Sequence, residues 1–225
     1  MDLSKSYEFF NPDKIRDRIC IIGCGSVGST VAEILARFGL TKISLYDFDI
    51  VEPHNLANQM FTTKHVGMNK IEAVKEILEE INPEISDDIE LYSNGWKPEE
   101  PLEGYVFLCV DNIEIRKKIV EENMYNPGIK AMFDFRTGLT DAQHYAADWS
   151  DIKSKQEFLK TMGFTHEEAQ LTQQVSACNV SLCVAPTVRM IANVGVANFV
   201  NFAKGEHLYK KIPVDAFGFM VQGIG

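Results

Sequence analysis

Residues 19–47 run Ile19-Cys20-Ile21-Ile22-Gly23-Cys24-Gly25-Ser26-Val27-Gly28, then a helical pattern to Phe38, then Gly39 and Lys42-Ile43-Ser44-Leu45-Tyr46-Asp47. A short apolar run ends in a glycine, and apolar residues at 27, 31, 34, 35 and 38 then share one helical face. Gly39 is placed to cap that helix, and 42–46 is rich in strand formers. Strand, glycine turn, helix and strand within about thirty residues make a βαβ unit with a right-handed parallel crossover. Gly23 permits the tight turn, Gly25 lets phosphate oxygens approach the backbone beside Ser26, and Gly28 lets helix pack on strand. Asp47, at the second strand's end, can accept from ribose hydroxyls. Nucleotide binding follows, the alternative being a glycine turn that only closes the strand–helix packing. Motif and acid together do not separate a dinucleotide from ATP.

Outward from this unit, residues 48–69 form a 22-residue connection where about 2 to 6 residues are usual, and long loops at that place tend to be functional. It carries Asp49, Asn55, Asn58 and Gln59 and leads to Lys70, the start of a helix over 70–81 that Asn82-Pro83 stops. A cation at the positive end of a helix is disfavoured, so an anion is expected beside Lys70, and a triphosphate tail would serve. A solvated lysine at a frayed end is the competing reading. Residues 89–92 read as a strand. The continuous apolar run 105–110 reads as a strand covered on both faces, 113–124 as a helix and 131–135 as the next strand. Asp111 follows the buried run at a carboxyl end, where open α/β sheets bind ligands. A carboxylate beside phosphates needs a divalent cation between them, which makes Asp111 the Mg²⁺ candidate; capping the helix near Asn112 is the other role open to it. Beyond, 139–147 reads as one or two short strands, 151–162 as a helix and 163–180 as a polar loop. Pro186 suits the first turn of a final helix through 202.

With 225 residues, 45% hydrophobic and 24% charged, the chain has the composition of one globular domain. Its net charge of −10 has the wrong sign for binding DNA or an anionic membrane. Five cysteines, at 20, 24, 109, 178 and 183, form no C-x-x-C pair, which points to a cytoplasmic thiol usage. The apolar stretch 180–203 is broken by Pro186, Arg189, Asn193, Asn198 and Asn201 and reads as a buried helix rather than a membrane span. No secretory signal is expected from the first residues. The histidines at 54, 65, 144, 166 and 207 show no metal-ligand spacing.

Several pieces in fixed order resemble the family of ThiF, MoeB and the ubiquitin-activating enzymes over about 19–202. They are Gly23 to Gly28, Leu45-Tyr46-Asp47-Phe48-Asp49, Asn55-Leu56-Ala57-Asn58-Gln59, Val66-Gly67-Met68-Asn69-Lys70, Ile81-Asn82-Pro83, and Asp111-Asn112 with Arg116. The resemblance implies an α/β fold, a Rossmann-like doubly wound mostly parallel sheet with a late antiparallel strand segment. It implies a single adenylation domain over 1–225: a nucleotide-binding core at about 18–135, a crossover loop and partner-binding segment at about 136–183, and a C-terminal helix and tail at 184–225. It further implies ATP- and Mg²⁺-dependent adenylylation of the C-terminal glycine carboxylate of a small ubiquitin-like or sulfur-carrier protein, by a homodimer. By carry-over Gly23, Gly25, Ser26, Gly28, Asp47, Asp49, Asn55, Gln59 and Lys70 surround the nucleotide, Lys70 and Asp111 act in catalysis, Asp111 holds the metal, and Cys178 accepts the activated acyl group or sulfur.

The pattern also has departures. Asn58 stands where many relatives carry an arginine, and Arg16, Arg18 and Arg116 are the candidates to replace it. The paired C-x-x-C of a structural zinc is missing, so no zinc site is expected, and residues 1–18 show no arginine-rich arm. An NAD-linked oxidoreductase, an enzyme acting on tRNA and a non-catalytic carrier-docking module are the competing readings. The first gives Lys70 and Asp111 nothing to do, and the charge opposes the second.

Overall fold

The computed structural model describes residues 1–100, 102–172, 174–175 and 182–225. The first βαβ unit is β1 (Ile19–Ile22), α1 (Ser26–Arg37) and β2 (Ile43–Tyr46), followed by α2 (Lys70–Ile81), β3 (Glu90–Tyr92), β4 (Gly104–Leu108) and α3 (Ile113–Glu122). After them come β5 (Ile129–Thr137), β6 (Asp141–Asp148), α4 (Ile152–Lys160), α5 (His166–Thr172), α6 (Ala185–Ala203), β7 (Lys211–Asp215) and β8 (Met220–Val221). All eight strands form one sheet in the order β3-β2-β1-β4-β5-β6-β7-β8. The pairs from β3 to β5 are parallel and those from β5 to β8 antiparallel, so the expected fold holds, including its late antiparallel part.

Side chains alternate across a strand, and β1 shows what that does. Ile19 and Ile21 join α1, α2 and α6 in one apolar core, whereas Cys20 and Ile22 join α3 and α4 in a second core on the other face. Burial on both faces explains why β1 and β4 read as unbroken apolar runs. The chain leaves β3 at the sheet's edge and returns as β4 beside β1. That topological switch opens a crevice at the carboxyl ends of β1 and β4.

The connection 48–69 is folded rather than loose. Short turns of 3-10 helix at Pro53–Ala57 and Thr63–His65 and a bridge between Ile50 and Asn69 order it, with Val51 and Phe61 buried. Three expectations change. Where 139–147 reads as one or two short strands there is a single one, β6 over 141–148, paired along an extended β5. The expected polar loop contains α5, which starts at a reciprocal cap: Thr165 Oγ1 accepts from the Glu168 amide at 3.1 Å, and Glu168 Oε2 accepts from the Thr165 amide at 2.8 Å. The expected tail contains β7 and β8. Ile212 and Val214 of β7 are buried, while Pro213 between them disguises the strand. No helix among the described residues is long and apolar enough to cross a membrane.

Candidate functional site

A cavity of about 280 Å³ lies in the crevice where β1, β2 and β4 end. Its floor depends on the glycine turn. Gly23 has φ +93°, and a Cβ there would come within 2.8 Å of the Cys109 carbonyl carbon and the Val110 nitrogen. A Cβ on Gly28 would meet the Gly23 oxygen at 1.8 Å, so this helix can approach its strand only with glycine there. Around Gly25 no atom lies within 4 Å of the Cβ position, leaving room above the start of α1. No side chain caps that helix, so its first amides, beginning at Ser26, need an outside acceptor.

Asp47 is fixed at the cavity wall. Its Oδ2 accepts from the Cys24 amide at 2.6 Å and its Oδ1 from the Asp49 amide at 2.8 Å. Burial raises the pKa of its carboxyl, opposed by those amides and by Lys70. Lys70 is only 8% exposed, and its Nζ donates to Asp49 Oδ2 at 2.8 Å. The anion beside the lysine is thus the chain's own Asp49, and the reading as a solvated helix end does not apply. Gln59 and Trp96 both line the cavity, and Gln59 Oε1 and Trp96 Nε1 are buried with no hydrogen-bond partner among the described residues. An unmet buried polar atom costs about 1–3 kcal/mol, so an acceptor and a donor in this wall fit a polar ligand such as a nucleotide.

Asp111 lines the cavity with an exposed carboxylate that makes no hydrogen bond or ion pair among the described residues. The helix cap is its neighbour: Asn112 Oδ1 accepts from the amides of Glu114 at 2.8 Å and Ile115 at 3.2 Å. That leaves Asp111 free for a cation. Asn55 is placed differently, since it is buried outside the cavity lining with its Oδ1 accepting from the Glu52 amide. Cys178 lies outside the described residues. Burial raises the pKa values of the Cys24 and Cys109 thiols, so neither supplies a thiolate. None of the three candidate arginines enters the cavity. Arg18 pairs with Glu90 and Glu103, Arg16 is exposed beside the amino end of β1, and Arg116 is buried in an ion pair.

A second hollow of about 520 Å³ adjoins the first, and Asp111 lines both. It lies between the β5–β6 hairpin and the segment of α4 and α5. Three charged side chains build its base. Arg116 donates to the carbonyls of Val110 and Phe135 and to Asp134 Oδ1. Arg136 Nε donates to Asp134 Oδ2 at 2.7 Å, its NH1 to the Thr161 carbonyl at 2.7 Å and its NH2 to Thr161 Oγ1 at 2.8 Å. The Arg136 guanidinium also lies 4.4 Å from the centre of the Tyr145 ring. Asp134, fully buried, thereby joins the strand end before Asp111 to the end of α4. Sequence reasoning missed Asp134, Arg136 and Trp96. The alternation Phe133-Asp134-Phe135-Arg136, with charge inside an apolar strand, was the available signal for two of them.

The chain matches the sequence profile of the ThiF family over residues 12–217. It is 33% identical over 136 residues to the ubiquitin-like modifier-activating enzyme 5 of Drosophila virilis, a match covering 53% of this chain and 32% of that protein. The enzyme of that name from Gallus gallus is 34% identical over 135 residues, 53% of this chain and 33% of the relative. The matched region thus spans about a third of these relatives' length. Among solved structures, PaaA superposes with a TM-score of 0.71 at 16% identity, over 98% of this chain and 68% of PaaA. The E. coli MccB structure with ATP gives 0.69 at 20% identity, over 95% of this chain and 66% of MccB. At such identities these likenesses speak for the fold. On the match over 12–217, the chain belongs to the ThiF family.

Proposed function

We propose that the chain is an ATP-dependent adenylyltransferase that activates the C-terminal carboxylate of a small ubiquitin-like or sulfur-carrier protein. The observation that carries the reading is the place of Asp111, between a glycine-floored cavity and a second hollow that can admit a peptide end. The ribose rests against Asp47, and the phosphates meet the uncapped amides of α1 and the Lys70 ammonium, which exchanges Asp49 for a phosphate oxygen. Gln59 Oε1 and Trp96 Nε1 offer the nucleotide an acceptor and a donor. Asp111 would hold Mg²⁺, which when bound neutralises phosphate charge. The partner's terminal glycine enters across the second hollow. Its carboxylate oxygen bonds to the α-phosphorus, the bond from that phosphorus to the bridging oxygen breaks, and pyrophosphate leaves with the electron pair.

A carboxylate is already ionised at neutral pH, so the step needs alignment and charge neutralisation and no general base. This accounts for a cavity with cationic and amide donors and no histidine in its lining. Cys178 would act after adenylation, attacking the acyl carbon and releasing AMP. The reading takes the 225 residues as one cytoplasmic domain that works as a homodimer, as the family resemblance implies. The test is ATP–pyrophosphate exchange with Mg²⁺ and small proteins ending in Gly-Gly. Exchange is expected in the parent and in Cys178→Ala and lost in Lys70→Ala and Asp111→Ala. Exchange surviving in Asp111→Ala overturns its metal role. ATP binding without exchange by any carrier would instead mark a non-catalytic docking module, a reading that Asn58 favours because its Nδ2 donates to the Cys183 carbonyl at 3.1 Å and brings no charge.

A further inference from the structure

The charges lining the cavity do not suit a polyphosphate by themselves. Asp47, Asp49 and Asp111 contribute three carboxylates against the single ammonium of Lys70. A divalent ion offsets part of that deficit, and a further cation has to come from outside the present lining. The arginines can be sorted by partner. Arg18, Arg37, Arg116 and Arg136 are paired with carboxylates, and Arg16 is exposed at the amino end of β1. Arg189, on the second turn of α6, is partly buried and has no carboxylate partner among the described residues. Its NH1 donates to Thr30 Oγ1 at 3.1 Å and contacts Met60 Sδ. Buried cations are paired with anions, and this half-buried guanidinium has a hydroxyl and a thioether beside it in place of a carboxylate.

Its surroundings lead to the phosphate end of the cavity. Thr30 Oγ1 donates to the carbonyl of Ser26, the first residue of α1, at 2.8 Å. Thr30 stands about 6 Å along the helix axis from Ser26. Met60 follows Gln59, which lines the cavity, and the Met60 amide donates to Ser29 Oγ at 3.2 Å. Arg189 therefore sits one helical turn behind the phosphate-facing start of α1, on contacts that an anion can displace.

We propose that Arg189 binds the outer phosphates of the nucleotide, supplying from α6 the cation that Asn58 does not carry. The inference rests on the ATP reading above and adds a residue to it. With ribose at Asp47 and the α-phosphate at the amides of α1, the outer phosphates are the part of ATP left to extend toward Gln59 and the neighbouring Met60 that Arg189 contacts. ATP should then depend on Arg189 and AMP should not.

The experiment is calorimetric titration of ATP and of AMP, with Mg²⁺, into the parent, Arg189→Gln and Arg189→Lys, with melting temperatures measured beside them. Losing one charge-assisted hydrogen bond corresponds to about ten- to hundredfold. ATP affinity should fall by that factor in Arg189→Gln while AMP affinity and melting temperature stay at the parent's values. Arg189→Lys, which keeps a point charge, should lose less, and Asn58→Arg added to Arg189→Gln should restore ATP affinity. Equal losses for ATP and AMP, or no loss for either, would overturn the assignment. A parent that binds neither nucleotide would overturn the ATP reading itself, and this inference with it.

Discussion

Asp134→Asn is the substitution whose cost the structure fixes best. Asp134 is fully buried and takes hydrogen bonds from two guanidiniums, one of them on an Arg116 side chain only 6% exposed. Removing one partner of a buried ion pair leaves an uncompensated charge and costs about 3–5 kcal/mol, a large share of the roughly 5–15 kcal/mol that holds a domain folded. At about 2–4 °C per kcal/mol for a chain of this size, the melting temperature should fall by about 6–20 °C. The same change frees Arg116 from beside the Val110 carbonyl and Arg136 from Thr161. In pyrophosphate exchange it should therefore raise both the Mg²⁺ requirement and the KM for the carrier. Lys210→Gln, which breaks the exposed pair with Glu157, should cost less than about 1 kcal/mol and leave both unchanged. Thermal unfolding followed by circular dichroism reads the first effect and exchange kinetics the second. A variant Asp134→Asn that melts within about 2 °C of the parent, below the shift set by the smallest expected cost, would refute the view that this carboxylate holds both arginines.

Two further substitutions separate ligand space from packing. Gly25→Ala has nothing within 4 Å of the added methyl, so it should lose less stability than Gly28→Ala and bind ATP at least about tenfold more weakly, as a methyl now stands in the phosphate approach. Gly28→Ala, 1.8 Å from a backbone oxygen, should lose about 1–3 kcal/mol of stability before binding is considered. Equilibrium unfolding and ATP titration of both variants check the contrast. His144 predicts a pH dependence. Its Nδ1 donates to the Asp134 carbonyl at 3.1 Å and its Nε2 accepts from Asn198 at 3.2 Å. Burial holds its pKa down from 6.5 to about 4. The unfolded chain takes up the proton first, so stability is fully present above about pH 6.5 and is lost as pH falls toward about 4, by about 3 kcal/mol in all. Urea unfolding across that range should show a slope that flattens in His144→Gln; an unchanged slope would assign it to other groups.

Local periodicity made much of this molecule legible. The unit from 19 to 46 and the helix over 70–81 carry their patterns in contiguous residues, and the switch between β3 and β4 follows from the order of strands and helices. What escaped was written in other ways. Pro213 hides β7 because its neighbours, rather than its propensity, keep it in the sheet. The start of α5 was encoded as Thr165 and Glu168, a cap and not an apolar pattern, in a segment that reads as polar throughout. In the site, Gly23, Asp47, Lys70 and Asp111 converge where spacing and strand ends place them. The pairing of Asp134 with Arg116 and Arg136 joins α3, β5 and the end of α4, and such contacts leave no mark along the chain. Arg189 read only as an interruption of an apolar stretch, and its position behind α1 follows from how α6 packs.

Binding of a Mg²⁺-bound ATP in the crevice beyond β1 and β4 is read by titrating the purified chain with ATP and Mg²⁺ in a calorimeter, with NADH as the rival ligand. One ATP per chain is expected, with binding weakened in Lys70→Ala and Asp111→Ala and no heat from NADH. Binding of NADH, or ATP binding that neither substitution weakens, would contradict it.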